Sequence, residues 1–151
     1  MSTEAAIQLR QCFELVAAIK AEYPEGEFDR EMLHGDLEFR YQHIKRLREQ
    51  LQALPLAVRE FARFKDALAV SDEAVRSFLQ LVLEDPDYFS GLAGLGFREM
   101  RVKIEVCSRK LGISASIIDR LFARARLTGI LNSDYRLSED YRGVIAAYLA
   151  L

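Results

Sequence analysis

The sequence predicts a mainly α-helical fold, with an N-terminal helical bundle or set of helical hairpins followed by a smaller helical unit that carries a short β-hairpin. Three observations predict it. Apolar residues recur at three- and four-residue spacing through most of the first 84 positions, the period of a helix with one buried face. A glycine-rich stretch, Asp87-Tyr-Phe-Ser-Gly-Leu-Ala-Gly-Leu-Gly96, then interrupts the pattern. Beyond it, two short helical patterns lead into turn residues and an alternating segment, Tyr135-Arg136-Leu137.

Taken in order, Leu9, Cys12, Phe13, Val16 and Ile19 form the stripe of a first helix, which Tyr23-Pro24-Glu25-Gly26 should break. A longer helix is expected from Asp29, a plausible N-cap, to Ala53. It places Leu33, Leu37, Arg40, Ile44, Leu47, Leu51 and Leu54 at alternating four- and three-residue steps, an a/d seam with one arginine in it. That seam either packs on the first helix or pairs with a second copy. In the second case Leu33, Leu37, Ile44, Leu47 and Leu51 are the homodimer contacts. Pro55 suits the start of a third helix with Leu56, Phe61, Phe64 and Leu68 on its apolar face. Ser71 should cap a fourth, bearing Ala74, Val75, Phe78, Leu79 and Val82 and ending at Asp85-Pro86.

Composition narrows the function classes. An apolar share of 50% and a charged share of 29% suit a folded, water-facing chain with a full core. No basic segment leads into an apolar run at the start, and no stretch approaches the ~18 apolar residues that cross a bilayer, so a cytoplasmic protein with no membrane contact is expected. Cys12 and Cys107 lie far apart within apolar helical patterns, which favours buried thiols in a reducing compartment over a disulfide. Charge is uneven. Residues 1–96 hold 11 Lys and Arg against 17 Asp and Glu, whereas residues 97–151 hold 10 against 6. An acidic part, 1–90, thus precedes a basic part, 97–151, as two expected domains, and only the second should meet a polyanion.

Catalytic chemistry is not expected. His34 and His43 are nine residues apart on one helix and face different ways, unlike the i,i+4 spacing of a two-histidine metal site. His34 with Glu38 reads as a surface pair. Neither cysteine has a histidine or second cysteine near it in sequence. Gly91, Gly94 and Gly96 follow a helix rather than a strand and lack a following Gly-Lys-Ser/Thr, so they do not make a phosphate loop. No metal or cofactor is expected, and the protein is read as a non-enzyme.

The most informative stretch is Lys103 to Leu131. Ile104, Cys107 and Leu111 mark one face of a short helix, and Gly112 can take the left-handed backbone after it. Ile113 turns inward. Ser114 can cap a second helix whose apolar face is Ile117, Ile118, Leu121, Phe122 and Ala125, with Ser116, Asp119, Arg120, Ala123 and Arg124 facing out. Gly129-Ile130-Leu131, the turn residues Asn132-Ser133-Asp134 and then Tyr135-Arg136-Leu137 read as a hairpin, with Met100 to Val102 available as a third strand. Ser138 should cap a last helix carrying Val144, Ile145, Tyr148 and Leu149, with Glu139 near its positive end.

With the small Ser108 four residues before Gly112, and Leu111, Ile113, Ile118 and Leu121 around the turn, the last 55 residues resemble the winged helix-turn-helix family. The resemblance implies a double-stranded DNA-binding protein, a transcriptional regulator that acts as a dimer. Ser114, Ser116 and Arg120 would then lie closest to the bases, and Arg109, Lys110, Arg124 and Arg136 would hold phosphates. Such modules also serve in protein assemblies, so docking of a protein partner is the alternative. Asp119 on the reading face argues in that direction.

Overall fold

The computed structural model describes residues 3–22, 34–66, 68–92 and 94–151. Seven α-helices run in order among them: α1 (Thr3–Ala21), α2 (His34–Gln52), α3 (Leu56–Asp66), α4 (Asp72–Glu84), α5 (Phe97–Leu111), α6 (Ala115–Leu127) and α7 (Glu139–Leu149). A 3-10 turn at Ser90–Leu92 joins α4 to α5. None of these helices is long and apolar enough to cross a membrane.

Local signals explain most of the boundaries. The Ser71 hydroxyl accepts from the Ala74 N–H at 3.2 Å, which starts α4, and the expected residues Ala74, Val75, Phe78, Leu79 and Val82 are all buried. In α3 the burial falls on Val58, Phe61, Ala62 and Phe64, while Leu56 is exposed. In α1, Leu9, Cys12 and Leu15 point into the core. Both cysteines are free and buried. The expected break at Tyr23-Pro24-Glu25-Gly26, the Asp29 cap, Leu33 and the side chains of His34, Leu37, Glu38 and Arg40 lie outside the described residues. Leu47 and Leu51 of the α2 seam pack against the chain's own core, Leu54 is buried, and Ile44 is half-buried.

The C-terminal helix organises the packing. It lies against α1, α3 and α4 at once, and one apolar cluster runs from Leu9 to Tyr148. Tyr148 sits at its centre, with its ring 5.1 Å from Phe61 and 6.5 Å from Phe13. The Arg76 guanidinium stacks over the same ring at 4.5 Å and donates to the carbonyls of Tyr148 and Leu149 at the end of α7, the first of which also accepts from the Leu151 N–H at 3.1 Å. Arg76 also donates to Asp72 at 2.7 Å, and Asp72 accepts from the Tyr148 hydroxyl. One clasp therefore joins the start of α4 to the end of α7. At the other end of α7, the Tyr141 hydroxyl donates to the Thr128 carbonyl at 2.8 Å.

The structure corrects the expected fold in one respect: no β-strand forms among the described residues. Met100 to Val102 belong to α5, which starts at Phe97, because Arg98, Glu99, Met100 and Arg101 are good helix formers with a glycine N-cap before them. The segment after α6 makes only a single antiparallel bridge, Leu131 to Leu137. Two cross-strand bonds flank it, from the Asn132 N–H to the Arg136 carbonyl and from the Ser138 N–H to the Ile130 carbonyl, both at 2.8 Å, and the outward-facing Leu137 N–H donates to the Pro86 carbonyl at 3.1 Å. The hairpin goes no further, because α6 ends at Leu127 on one side and α7 begins at Glu139 on the other. Ile130, Leu131 and Leu137 are buried in the core instead of projecting as a wing. The turn itself is tight. The Asn132 Oδ1 accepts from the N–H groups of Asp134 and Arg136, and Tyr135 takes a φ of +59°, a costly value for a bulky residue. Its ring packs edge-on against Phe122 at 5.3 Å.

The clasp has a pH signature. Hydrogen bonds from Tyr148 and then Arg76 hold the Asp72 carboxyl down at about 2, against 3.8 ordinarily. A depressed acid stabilises the fold above its unfolded pKa, and that contribution fades as pH falls from about 4 toward 2. Burial, with the bond to Asp72, pushes the Tyr148 hydroxyl up, so its contribution is present below pH 10 and is lost above it. Tyr148→Phe keeps the ring and removes the hydroxyl, which should lower unfolding free energy by about 1 kcal/mol at pH 7. In urea unfolding followed by circular dichroism, the gap between wild type and variant should narrow between pH 4 and pH 2.

Candidate nucleic-acid interface

The turn between α5 and α6 is built from three residues, Gly112, Ile113 and Ser114. Gly112 adopts a φ of +67°, and its N–H closes back on the Ser108 carbonyl. The Ile113 N–H reaches the same carbonyl at 3.2 Å, and the Ser108 hydroxyl donates to the Ile113 carbonyl. One small residue thus bonds both sides of the turn and fixes how α6 leaves α5. Ser114 occupies the N-cap position of α6 as expected, but its hydroxyl makes no capping bond and lies 3.3 Å from the Ser116 hydroxyl.

Burial decides which face of α6 points outward. Ile118, Leu121, Phe122 and Ala125 are buried, with Phe122 5.0 Å from Phe89, which in turn stacks near Phe78 of α4. The glycine-rich stretch therefore supplies a wedge between α4 and α6. Ser116, Asp119, Arg120, Ala123 and Leu127 are left exposed along one side. This face borders two grooves. Ser116 and Asp119 line one together with Phe97, Met100, Arg101, Ile104 and Glu105 of α5. Arg120, Ala123, Arg124 and Leu127 line the other, against Leu68 and Ala69.

The seven residues expected to face DNA separate into three groups. Ser114, Ser116 and Arg120 are exposed and share the N-terminal two turns of α6. Arg109 and Lys110 are exposed at the adjoining end of α5, where the Lys110 ammonium lies 5.4 Å from the Tyr88 ring centre. Arg124 and Arg136 are engaged elsewhere. The Arg124 guanidinium is half-buried and donates to the Arg63 carbonyl of α3 at 3.1 Å, while Arg136 pairs with Asp87 at 3.1 Å.

Two cations escaped the sequence reading. Arg98 and Arg101 are exposed on α5, and they were hidden by the expectation of a strand at Met100 to Val102. With them, residues 97–127 hold eight Lys and Arg against three Asp and Glu. The same pair of helices also shows apolar surface. Phe97 is 80% exposed, Leu127 66%, and Leu95, Val102 and Val106 are exposed as well. Beneath the surface, burial pushes the Cys107 and Cys12 thiols up, which holds them protonated at neutral pH.

No family model matches the chain, and no curated protein or solved structure matches it.

Gly112 tests how far the turn sets this surface. A Cβ there meets open space, so the cost of substitution is conformational. Gly112→Ala should lower unfolding free energy by about 1–2 kcal/mol, and Gly112→Asn by less, because asparagine tolerates the left-handed region. Equilibrium urea unfolding of the two variants measures both.

Proposed function

We propose that the protein binds double-stranded DNA through the α5–α6 pair, with α6 entering the major groove. The observation that carries this reading is the uncovered outward face of α6 within a segment whose cations outnumber its carboxylates eight to three. A helix fits the major groove only if no other element covers the face it presents. Ser114, Ser116 and Arg120 then lie toward base edges, and Arg109 and Lys110 toward phosphates. Arg98 extends the positive edge along α5, with Arg101, which pairs with Glu105 at 3.8 Å, adding less. Arg124 and Arg136 already hold partners within the chain, so their contribution is smaller than sequence alone suggests. A regulatory role, pairing of two copies on adjacent half-sites and a cytoplasmic setting follow from the same reading.

One observation favours a second reading, docking of a protein partner. Phe97 and the exposed Leu95, Val102 and Val106 give α5 an apolar outward surface that DNA does not need. Under that reading the helix pair is an assembly module, and the acidic helices are its scaffold.

Fluorescence anisotropy with a labelled duplex at low salt separates the two. Wild type should bind, with affinity falling steeply as salt rises. Arg109→Glu with Arg120→Glu should weaken binding about tenfold or more and flatten the salt dependence, by about one unit of slope for each phosphate contact removed. Equal binding by both proteins, or none by wild type, contradicts the DNA reading.

A further inference from the structure

On the outward face of α6 one side chain is not explained by attraction to phosphate. Asp119 is exposed beside Arg120, and neither makes a hydrogen bond or ion pair among the described residues. The other two arginines of α6 differ. Arg124 donates to the Arg63 carbonyl, and Arg126 donates to the Leu131 carbonyl at 3.3 Å while lying over the Tyr135 ring. Arg120 and Asp119 are thus the charged pair that α6 leaves uncommitted, one turn beyond Ser116.

A carboxylate on a surface that meets DNA weakens binding unless a donor satisfies it. In the major groove a G·C pair presents a donor and two acceptors side by side. Cytosine offers its N4 amino group, and guanine offers O6 and N7. A carboxylate accepts from the first, and a guanidinium donates in bidentate fashion to the second and third. Consecutive residues project about 100° apart around a helix, Asp119 onto the groove beside α5 and Arg120 onto the groove beside Leu68 and Ala69, so the two side chains straddle the face and are placed to meet the two strands of one base pair, one base each. Resting on the DNA reading above, we infer that Asp119 and Arg120 together read one G·C pair in the major groove, with Asp119 setting specificity.

The test is selection from a randomised duplex pool by wild type, Asp119→Asn and Arg120→Gln, with unfolding midpoints confirming that all three are folded. Wild type should enrich a site with one fixed G·C position. Each variant should relax the preference at that position by about five- to hundredfold, the range expected for losing one base-specific contact. Arg120→Gln should shift it toward adenine, which glutamine reads. An enriched site that both variants leave unchanged overturns the inference while the DNA reading stands. So does retained DNA with no enriched site, or an Asp119→Asn protein that binds every sequence more tightly without changing its preference. A pool from which wild type retains nothing removes the DNA reading itself, and the inference with it.

Discussion

The structure depends on the burial of α7. Tyr141, Val144, Ile145, Ala147 and Tyr148 are all buried, and α7 packs against α1, α3 and α4, so the last helix closes a core that the first helices leave open. Removing those side chains from water is worth roughly 10 kcal/mol as an upper estimate. That is the size of a whole domain's net stability, about 5–15 kcal/mol. The clasp of Arg76, Asp72 and Tyr148 fixes the orientation of this helix by satisfying its terminal carbonyls with the same guanidinium that stacks on its tyrosine. The acidic helices and the basic C-terminal segment therefore share one packed interior.

From that interior the position of α6 follows. Phe122 packs on Phe89, Phe89 on Phe78, and Tyr141 bonds to the carbonyl of Thr128 just beyond α6. These contacts anchor the inward face of the helix and its C-terminal end and leave the opposite face open. Leu131 and Leu137 are drawn into the same interior, so the segment that could have made a wing contributes to the core instead.

Where the deciding signal is local, the sequence was legible. Ser71 and the spacing from Ala74 to Val82 defined α4, and Gly112 marked a turn whose left-handed backbone only a glycine takes readily. Where distant groups compete, it was not. Tyr135-Arg136-Leu137 alternates like a strand, yet Leu131 and Leu137 are drawn into the core, where the Leu137 N–H bonds to the carbonyl of Pro86, about fifty positions earlier in the chain. The start of α5 was missed because only Ile104 and Cys107 of that helix are fully buried, so its periodic signal is thin. Of the candidate site, Ser114, Ser116 and Arg120 were readable as an outward stripe. The diversion of Arg124 to the Arg63 carbonyl and of Arg136 to Asp87 depends on tertiary neighbours that no spacing reveals.

A packed interior closed by α7 carries an open face on α6. Amide chemical-shift mapping of the protein titrated with duplex DNA at low salt tests that junction most directly. Changes confined to residues 114–123 and to the positive edge of α5, around Arg98, Arg101, Arg109 and Lys110, with α1, α3 and α7 unmoved, are the expected result. Changes that spare residues 114–123 and centre on Leu95, Phe97, Val102 and Val106, or that spread through α7, would contradict it.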